Sequence, residues 1–186
     1  MKAIGIVGSP RKNGNTEILV SHCLKAIKEE GLDTEIIQLA GKKITGCIHC
    51  GYCAKHPGEC SQKDDMQAVR VKMKEADAII IGTPVYYGAA TALVRGLMER
   101  SAFCERGAFA GKVGGPIVVA RRAGQNFTFA EMNFWFYLNG ITTPAGTYWN
   151  MAVGREKGEV EKDQEGMQTA WDFGKNVANL AKKIRG

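Results

Sequence analysis

The segment KAIGIVGSPRKNGNT, residues 2–16, decides the fold of this chain. It opens with an apolar run, residues 2–7, that has the length and the isoleucine and valine content of a buried strand. A loop rich in glycine and polar residues follows. It leads directly into residues 15–30, where apolar side chains recur at helical spacing. A strand, a loop and a helix in immediate succession form the first unit of an α/β protein.

The same alternation of short strand patterns and longer helical patterns continues along the 186 residues. We predict strands at residues 2–7, 34–39, 77–82, 112–120 and 141–145. We predict helices at residues 15–30, 64–76, 89–103, 127–138 and about 161–184. Five such units predict one domain, residues 1–186, with a doubly wound parallel sheet and helices on both faces. Ligands in this architecture bind at the carboxyl ends of the strands, so the loops that follow the strands are the candidate sites.

Composition and charge restrict the class of protein. The hydrophobic fraction of 45% and the charged fraction of 24% are those of an ordinary globular chain, not of a disordered or collagen-like one. The longest apolar runs have strand length, below the ~20 residues of a membrane span, and the first is too short for a signal peptide. We therefore expect a cytoplasmic protein with no membrane partner. The net charge of +6 is scattered among basic pairs, which favours small anionic ligands over nucleic acid.

The loop after the first strand has the chemistry of an anion site. Ser9, Asn15 and Thr16 supply side-chain donors, and Arg11 supplies a fixed positive charge. The helix that begins here adds backbone N–H groups and the positive end of its dipole. The loop matches neither the Walker A pattern nor the G-x-G-x-x-G dinucleotide fingerprint. It therefore favours a terminal monophosphate over a pyrophosphate, and a polar helix-capping turn is the alternative.

Two further loops follow predicted strands. Residues 83–89, TPVYYGA, place two tyrosines and a proline at the end of a buried strand, where a flat heteroaromatic ligand could lie. The alternative is that these tyrosines close the core beneath a turn. Residues 120–125, ARRAGQ, could supply backbone N–H groups and positive charge to the far edge of the same ligand. The alternative for this loop is a solvated arginine pair.

The connection between the second strand and the second helix is far longer than the usual ~2–6 residues of such loops, so we expect it to be functional or disordered. It contains the pattern C-x2-C-x2-C-x6-C, formed by Cys47, Cys50, Cys53 and Cys60. The overlapping triplet is similar to the bacterial ferredoxin run, in which the fourth cysteine follows at x3 and serves another cluster. Structural zinc, which usually takes two separated cysteine pairs, and free or redox-active thiols remain as alternatives. Cys23 and Cys104 fit small core residues.

Taken together, these motifs resemble the iron–sulfur flavoproteins, part of the broader flavodoxin-like group of NAD(P)H-dependent FMN reductases. The resemblance is carried by residues 9–16, by PVYY at 84–87, and by the cysteine run at 47–60 followed by DDM at 64–66. It covers about residues 1–145. It implies a flavodoxin-like fold with strand order 2-1-3-4-5 and one FMN per subunit. The first loop would then bind the FMN phosphate, and residues 84–87 would border the ribityl chain and the isoalloxazine ring.

From the motifs and the resemblance we predict two sets of site residues. The expected FMN-binding residues are Ser9, Arg11, Asn13, Asn15, Thr16, Pro84, Val85, Tyr86, Tyr87, Gly88, Arg121, Arg122 and Gly124. The expected ligands of a [4Fe–4S] cluster are Cys47, Cys50, Cys53 and Cys60. The third loop is usually glycine-rich in the family. Its arginine pair here leads us to expect Arg122, with Arg121 as a substitute, at the pyrimidine edge of the flavin.

The resemblance also implies an activity and partners. We expect an oxidoreductase that passes electrons from NAD(P)H or a reduced carrier to a small-molecule acceptor, as a homodimer or tetramer. No catalytic side chain is predicted, because the flavin carries the chemistry and the protein supplies orientation and electrostatics. Two alternatives stay open at this point. One is a flavodoxin-like electron carrier without turnover of its own, and the other is a metal-binding module without flavin.

Overall fold

The computed structural model describes residues 1–185. Its strands are β1 (Lys2–Val7), β2 (Asp33–Gln38), β3 (Ala78–Pro84), β4 (Val113–Ala120) and β5 (Met151–Val153). Its α-helices are α1 (Asn15–Glu29), α2 (Tyr52–Lys55), α3 (Met66–Glu75), α4 (Ala92–Cys104), α5 (Gln125–Leu138) and α6 (Gln164–Arg185). A short 3-10 helix, Glu159–Lys162, precedes α6. Within this range no helix is both long and apolar enough to cross a membrane.

The strands form one parallel sheet in the order β2-β1-β3-β4-β5, which confirms the predicted flavodoxin-like topology. Val7, at the end of β1, pairs with Gln38 of β2 on one side and with Gly82 of β3 on the other. The chain adds β2 on one side of β1 and β3 on the other, so the strand order reverses between β1 and β3. A crevice opens at the carboxyl edge of a sheet at such a reversal.

Two apolar cores cover the two faces of the sheet. Helices α1 and α6 pack on one face, where Leu19 and Phe173 are fully buried. Helices α3, α4 and α5 pack on the other face, where Met73, Leu97 and Phe136 are fully buried. Each such side chain stabilises the fold by about 1.5–3 kcal/mol through burial. The strands are rich in isoleucine and valine because both of their faces are covered.

The predicted position of the fifth strand is wrong. Residues 141–145 do not form a strand of the sheet, and Thr142 makes one isolated parallel bridge with Val113 of β4. Pro144 follows, and proline has no N–H group with which to continue a ladder. The fifth strand is Met151–Val153, whose three residues are too few to show a period. The loop that reaches the carboxyl edge after β5 therefore begins at Gly154.

Candidate functional site

A cavity of about 410 Å³ lies at the carboxyl edge of the sheet, where the loops after β1, β3, β4 and β5 meet. Eight of the predicted FMN-binding residues line it: Ser9, Arg11, Asn15, Thr16, Pro84, Val85, Tyr86 and Arg121. These residues come from three loops that are far apart in sequence. The sheet topology brings them together at the place where such folds bind their ligands.

The N-terminus of α1 borders this cavity and has no side-chain cap. Its N-cap residue is Gly14, which has no side chain with which to accept the first backbone N–H groups. Those groups have no partner inside a helix, so they remain available to an anion, together with the positive end of the helix dipole. Ser9 Oγ accepts a 3.1 Å hydrogen bond from the N–H of Arg11, which fixes the start of the loop.

The backbone at the start of the same loop is held by two hydrogen bonds. Gly8 donates to the carbonyl of Gly82 at 2.7 Å, and its own carbonyl accepts from Thr91 Oγ1 at 2.8 Å. A Cβ atom on Gly8 would lie 2.0 Å from Val94 Cγ2, so only glycine fits this close approach to α4. The loop is therefore preformed before any ligand binds.

Asn15 lines the cavity, but its side-chain amide binds another part of the chain. Its Nδ2 group donates to the carbonyl of Glu156 at 2.8 Å. Its Oδ1 accepts from the N–H of Gly158 at 2.9 Å and from that of Val160 at 3.4 Å. The side chain predicted to contact phosphate thus holds the segment after β5 against the first loop.

That segment contains the cavity residues that the sequence analysis missed. Gly154, Arg155, Glu156 and Lys157 complete the wall, along with Lys12, Gly14 and Val119. The sequence does not indicate them because the strand before them, β5, lies ten residues after the predicted fifth strand. The signal that could have indicated it is the apolar run MAV followed by glycine and two basic residues.

The charges around the cavity are strongly unbalanced. Its lining has five basic side chains, those of Arg11, Lys12, Arg121, Arg155 and Lys157. The single acidic side chain, Glu156, forms an ion pair with its neighbour Arg155, with a distance of 3.2 Å from Nε to Oε1. A cleft lined mainly by one sign of charge attracts ligands of the opposite sign. The cavity is therefore suited to an anion.

The turn after β3 presents its tyrosines to solvent. Val85 donates to the carbonyl of Val119 at 2.9 Å, which fastens the turn to β4. Tyr86 and Ala89 exchange hydrogen bonds across it, while Tyr87 at φ 53° and Gly88 at φ 77° form its tip. Tyr86 is 45% exposed and Tyr87 fully exposed, so these rings do not close the core. They are free to contact a flat ligand.

Five predicted residues lie outside the cavity lining: Asn13, Tyr87, Gly88, Arg122 and Gly124. Asn13 has a left-handed backbone, and its N–H donates to the carboxylate of Glu17. Arg122 is exposed. A Cβ atom on Gly124 would lie 3.0 Å from Val85 Cγ1 and 3.4 Å from Gly88 Cα. The loops after β3 and β4 therefore pack against each other. Of the two adjacent arginines, Arg121 lines the cavity and Arg122 does not.

A second cavity, of about 470 Å³, is lined by all four cysteines of the long connection. Cys47 and Cys50 are exposed, whereas Cys53 and Cys60 are half-buried. Among residues 1–185, no three His, Cys, Asp or Glu side chains converge closely enough to bind a single metal ion. The four thiols therefore share one cavity without forming a single-ion site.

The thiols of this cavity differ in their acidity. Ser61 Oγ, 3.1 Å from Cys50 Sγ, and the N–H of Tyr52 lower the pKa of the Cys50 thiol. Burial raises the pKa of Cys104, which also lines the cavity, to about 11. Thiolates are the form that binds metals, so Cys50 is the better ligand of the two. Cys104 is 3% exposed, in agreement with its expected place in the core.

One further residue of this cavity was not indicated by the sequence. Arg100 lies on α4 and is 1% exposed, yet it contacts the cysteine segment. A charged residue in a helical pattern is normally taken as exposed, and its partners are more than thirty residues away in sequence. No local signal marks it.

Comparisons with known proteins place this geometry in context. The family described as NADPH-dependent FMN reductase matches residues 1–153. An iron–sulfur flavoprotein of Methanocaldococcus jannaschii is 42% identical over 193 residues, which cover all of both chains. One from Archaeoglobus fulgidus is 34% identical over 98% of each chain. A flavodoxin structure from the domain Archaea superposes with a TM-score of 0.67 at 16% identity, covering 98% of this chain and 99% of that one. This last likeness concerns the fold alone.

Proposed function

The chain belongs to the NADPH-dependent FMN reductase family, and from that membership we propose that it is an oxidoreductase that uses FMN and a [4Fe–4S] cluster. Electrons would pass from NAD(P)H, or from a reduced carrier, to a small-molecule acceptor. The observation that supports this most is the uncapped N-terminus of α1, which opens into a cavity with five basic side chains and one acidic one.

The first cavity fits FMN in both of its chemical parts. Ser9, Arg11, Thr16 and the N–H groups of the first turn of α1 would hold the phosphate. Val85 and Tyr86 would border the ring system. The segment after β5 closes the side of the cavity next to the phosphate loop, where a second nucleotide would have to extend. We therefore propose FMN rather than FAD.

When bound, FMN would supply the hydride and single-electron chemistry. The protein contributes orientation and charge. The loops after β1 and β3 are fixed by backbone hydrogen bonds, so they bind the ligand without first having to order themselves. Arg121 would offer a positive charge to reduced flavin, which carries more negative charge than the oxidised form.

The second cavity fits an iron–sulfur cluster by its donor set. Cys47, Cys50, Cys53 and Cys60 would be the ligands, and the hydrogen bonds that lower the pKa of Cys50 favour its thiolate. Such a cluster supplies single-electron transfer. The relatives reported above are named iron–sulfur flavoproteins and match the whole chain, which supports the same pairing of groups here.

The exposed side of α5 supports a homodimer or tetramer. Phe127, Phe134, Tyr137 and Leu138 are each at least 72% exposed. Exposed apolar side chains grouped on one helix mark an interaction surface. A second copy of this chain is the occupant we propose. Light scattering that gives the mass of a monomer at micromolar concentration would contradict this part of the proposal.

One set of measurements tests the function as a whole. Protein purified without oxygen should show flavin and iron–sulfur absorption, release FMN on extraction, and consume NADPH or NADH steadily with an added acceptor. Absence of steady consumption with both cofactors bound would indicate the alternative, an electron carrier. A protein that binds no flavin after reconstitution would overturn the proposal.

Arg11→Ala is expected to weaken FMN binding by roughly ten- to a hundredfold. A hydrogen bond to a charged group contributes about 1.5–3 kcal/mol, and about 1.4 kcal/mol corresponds to one decade of affinity. Fluorescence titration of the flavin measures the effect. Riboflavin, which lacks the phosphate, should lose little affinity, and Arg106→Ala, at an exposed arginine beside the other cavity, should leave both ligands unaffected. Equal losses for FMN and riboflavin would show that Arg11 acts through folding.

Arg121→Gln is expected to lower the midpoint potential of the bound flavin. The reason is that a positive charge in the cavity favours the reduced, more negative ligand, and the neutral side chain removes that preference. Spectroelectrochemical titration measures the potential. Arg122→Gln is the matched control, because Arg122 is exposed and outside the cavity lining. The same shift in both variants, or none in either, would show that Arg121 does not contact the flavin.

A further inference from the structure

Arg100 is a buried charge in the wall of the cysteine cavity. It lies in the middle of α4, and only 1% of it is exposed. A buried guanidinium costs free energy unless hydrogen bonds and an opposite charge compensate it. The partners of Arg100 therefore indicate why a charge is kept at this position.

Asp64 supplies the compensating charge. Its two carboxylate oxygens accept from Nη1 and Nη2 of Arg100 at 2.5 and 2.9 Å. Burial opposes ionisation of this carboxyl, but the hydrogen bonds from Arg100 and from backbone N–H groups outweigh it and lower the pKa of Asp64. Arg100 and Asp64 thus form a bidentate ion pair, in which two parallel hydrogen bonds fix the geometry.

The remaining donors of the guanidinium bind the cysteine segment from both ends. Nη1 donates to the carbonyl of Thr45 at 3.2 Å, two residues before Cys47. Nη2 has one N–H left beside the one that binds Asp64, and it shares this N–H between the carbonyl of Gln62 and the sulfur of Cys60, each at 3.3 Å. Arg100 therefore connects α4 to the beginning and the end of the segment that holds the four cysteines.

Cys60 is the cysteine whose position depends most on contacts from outside its own segment. Six residues separate it from the triplet, so chain proximity alone does not fix its sulfur near the other three. Arg100 Nε is buried and has no hydrogen-bond partner within residues 1–185, so the guanidinium keeps one donor beyond those used by Asp64 and the cysteine segment. A hydrogen-bond donor beside a ligand sulfur is a feature that tunes iron–sulfur sites.

We propose that Arg100 is a positioning residue for the iron–sulfur site: it holds Cys60 at the cavity and donates a hydrogen bond to the ligand sulfur. This inference rests on the proposed cluster. A merely structural role would require only the ion pair with Asp64. A role toward the cluster requires in addition that the hydrogen bond changes the affinity for iron and the reduction potential, since donors to the sulfur stabilise the more negative, reduced state.

Two substitutions separate these roles. Arg100→Lys keeps a positive charge for Asp64 but lacks the planar, five-donor group that reaches several acceptors at once. Arg100→Met removes the charge and all the donors and keeps an unbranched apolar side chain in place of the arginine stem. Arg95→Gln is the control, since Arg95 is an exposed arginine on the same helix and is not among the residues that line the cysteine cavity. Each protein is reconstituted without oxygen, and its FMN content and thermal unfolding are measured first as a check of folding.

The decisive readouts are loss of iron to a chelator and the midpoint potential of the cluster. Arg100→Lys should bind FMN normally but hold iron roughly ten- to a hundredfold more weakly, the usual effect of losing a group that orients a metal ligand. Its cluster potential should shift to more negative values, and Arg95→Gln should match the unsubstituted protein. Arg100→Met should show the larger change. If it fails to fold, Arg100→Lys alone decides.

The outcomes are distinct. Normal iron retention and an unchanged potential in Arg100→Lys would overturn the inference and leave the cluster in place. Failure of the unsubstituted protein to bind iron and sulfide would instead overturn the cluster, and the role proposed for Arg100 with it.

Discussion

Serine in place of Cys50 is expected to abolish the iron–sulfur cluster while FMN remains bound. Cys50 is the central member of the triplet, and hydrogen bonds from Ser61 and from the N–H of Tyr52 lower the pKa of its thiol. The serine hydroxyl ionises far less readily than the thiol and is a harder ligand, which makes it a poor substitute at iron. Iron and acid-labile sulfide should fall from about four of each per chain to background, as expected for a [4Fe–4S] site.

Cys23→Ser is the control for that result. Cys23 is fully buried on α1, among the residues that pack on the other face of the sheet, so its loss should leave iron and sulfide content intact. The measurement is elemental analysis together with visible absorption after anaerobic reconstitution. Stoichiometric zinc in the unsubstituted protein, or iron content in Cys50→Ser equal to that of Cys23→Ser, would contradict the proposed ligand set. The flavin site would be unaffected by either finding.

Gly114→Ala is expected to destabilise the whole fold. A Cβ atom at Gly114, on β4, would lie 1.9 Å from the carbonyl oxygen of Ile79 on the adjacent β3. The obstacle is backbone in the middle of the sheet, which side-chain rotation cannot relieve. Overpacking of a core usually costs about 1–3 kcal/mol, so we expect at least about 3 kcal/mol here. For a chain of this length that corresponds to a fall in Tm of about 6–12 °C.

Gly46→Ala is the matched control for this steric argument. A Cβ atom there would meet only Glu99 Oε2, at 3.6 Å, which is an ordinary contact. A tolerated replacement of glycine by alanine is neutral or stabilises by about 0.4–1 kcal/mol, because it restricts the unfolded chain. Thermal and denaturant unfolding of the two variants measures the difference. Similar stabilities would show that β4 moves to accept a methyl group, and that the close approach of β3 is not required.

The sequence predicts best those parts of the molecule in which neighbours in the chain are neighbours in space. β1, the loop after it and α1 are contiguous, so their pattern and chemistry could be read from residues 2–30. β5 has only three residues and lies beyond Pro144, so its position comes from pairing with β4 rather than from its own pattern. The error at β5 then concealed Arg155 and Lys157.

Two side chains have hydrogen-bond partners that a sequence pattern cannot predict, because those partners are distant in the chain. Asn15 was assigned to phosphate because of its place in a polar loop, but its amide binds backbone 141 to 145 residues further on. Arg100 has no neighbouring signal at all, and its partners Asp64 and Cys60 are 36 and 40 residues away. Hydrogen bonds over such separations follow from the packing of the finished fold.

The contact between Asn15 and the segment after β5 also has a consequence for biosynthesis. The loop that begins the cavity leaves the ribosome well before the wall formed by Arg155, Glu156 and Lys157, since Glu156 follows Asn15 by 141 residues. Domains acquire their structure as units during synthesis. The wall held by Asn15 is absent until that later segment has emerged, so the nascent chain cannot present the complete first cavity. Ligand binding there is thereby tied to the arrival of β5, and a chain interrupted before β5 lacks this wall.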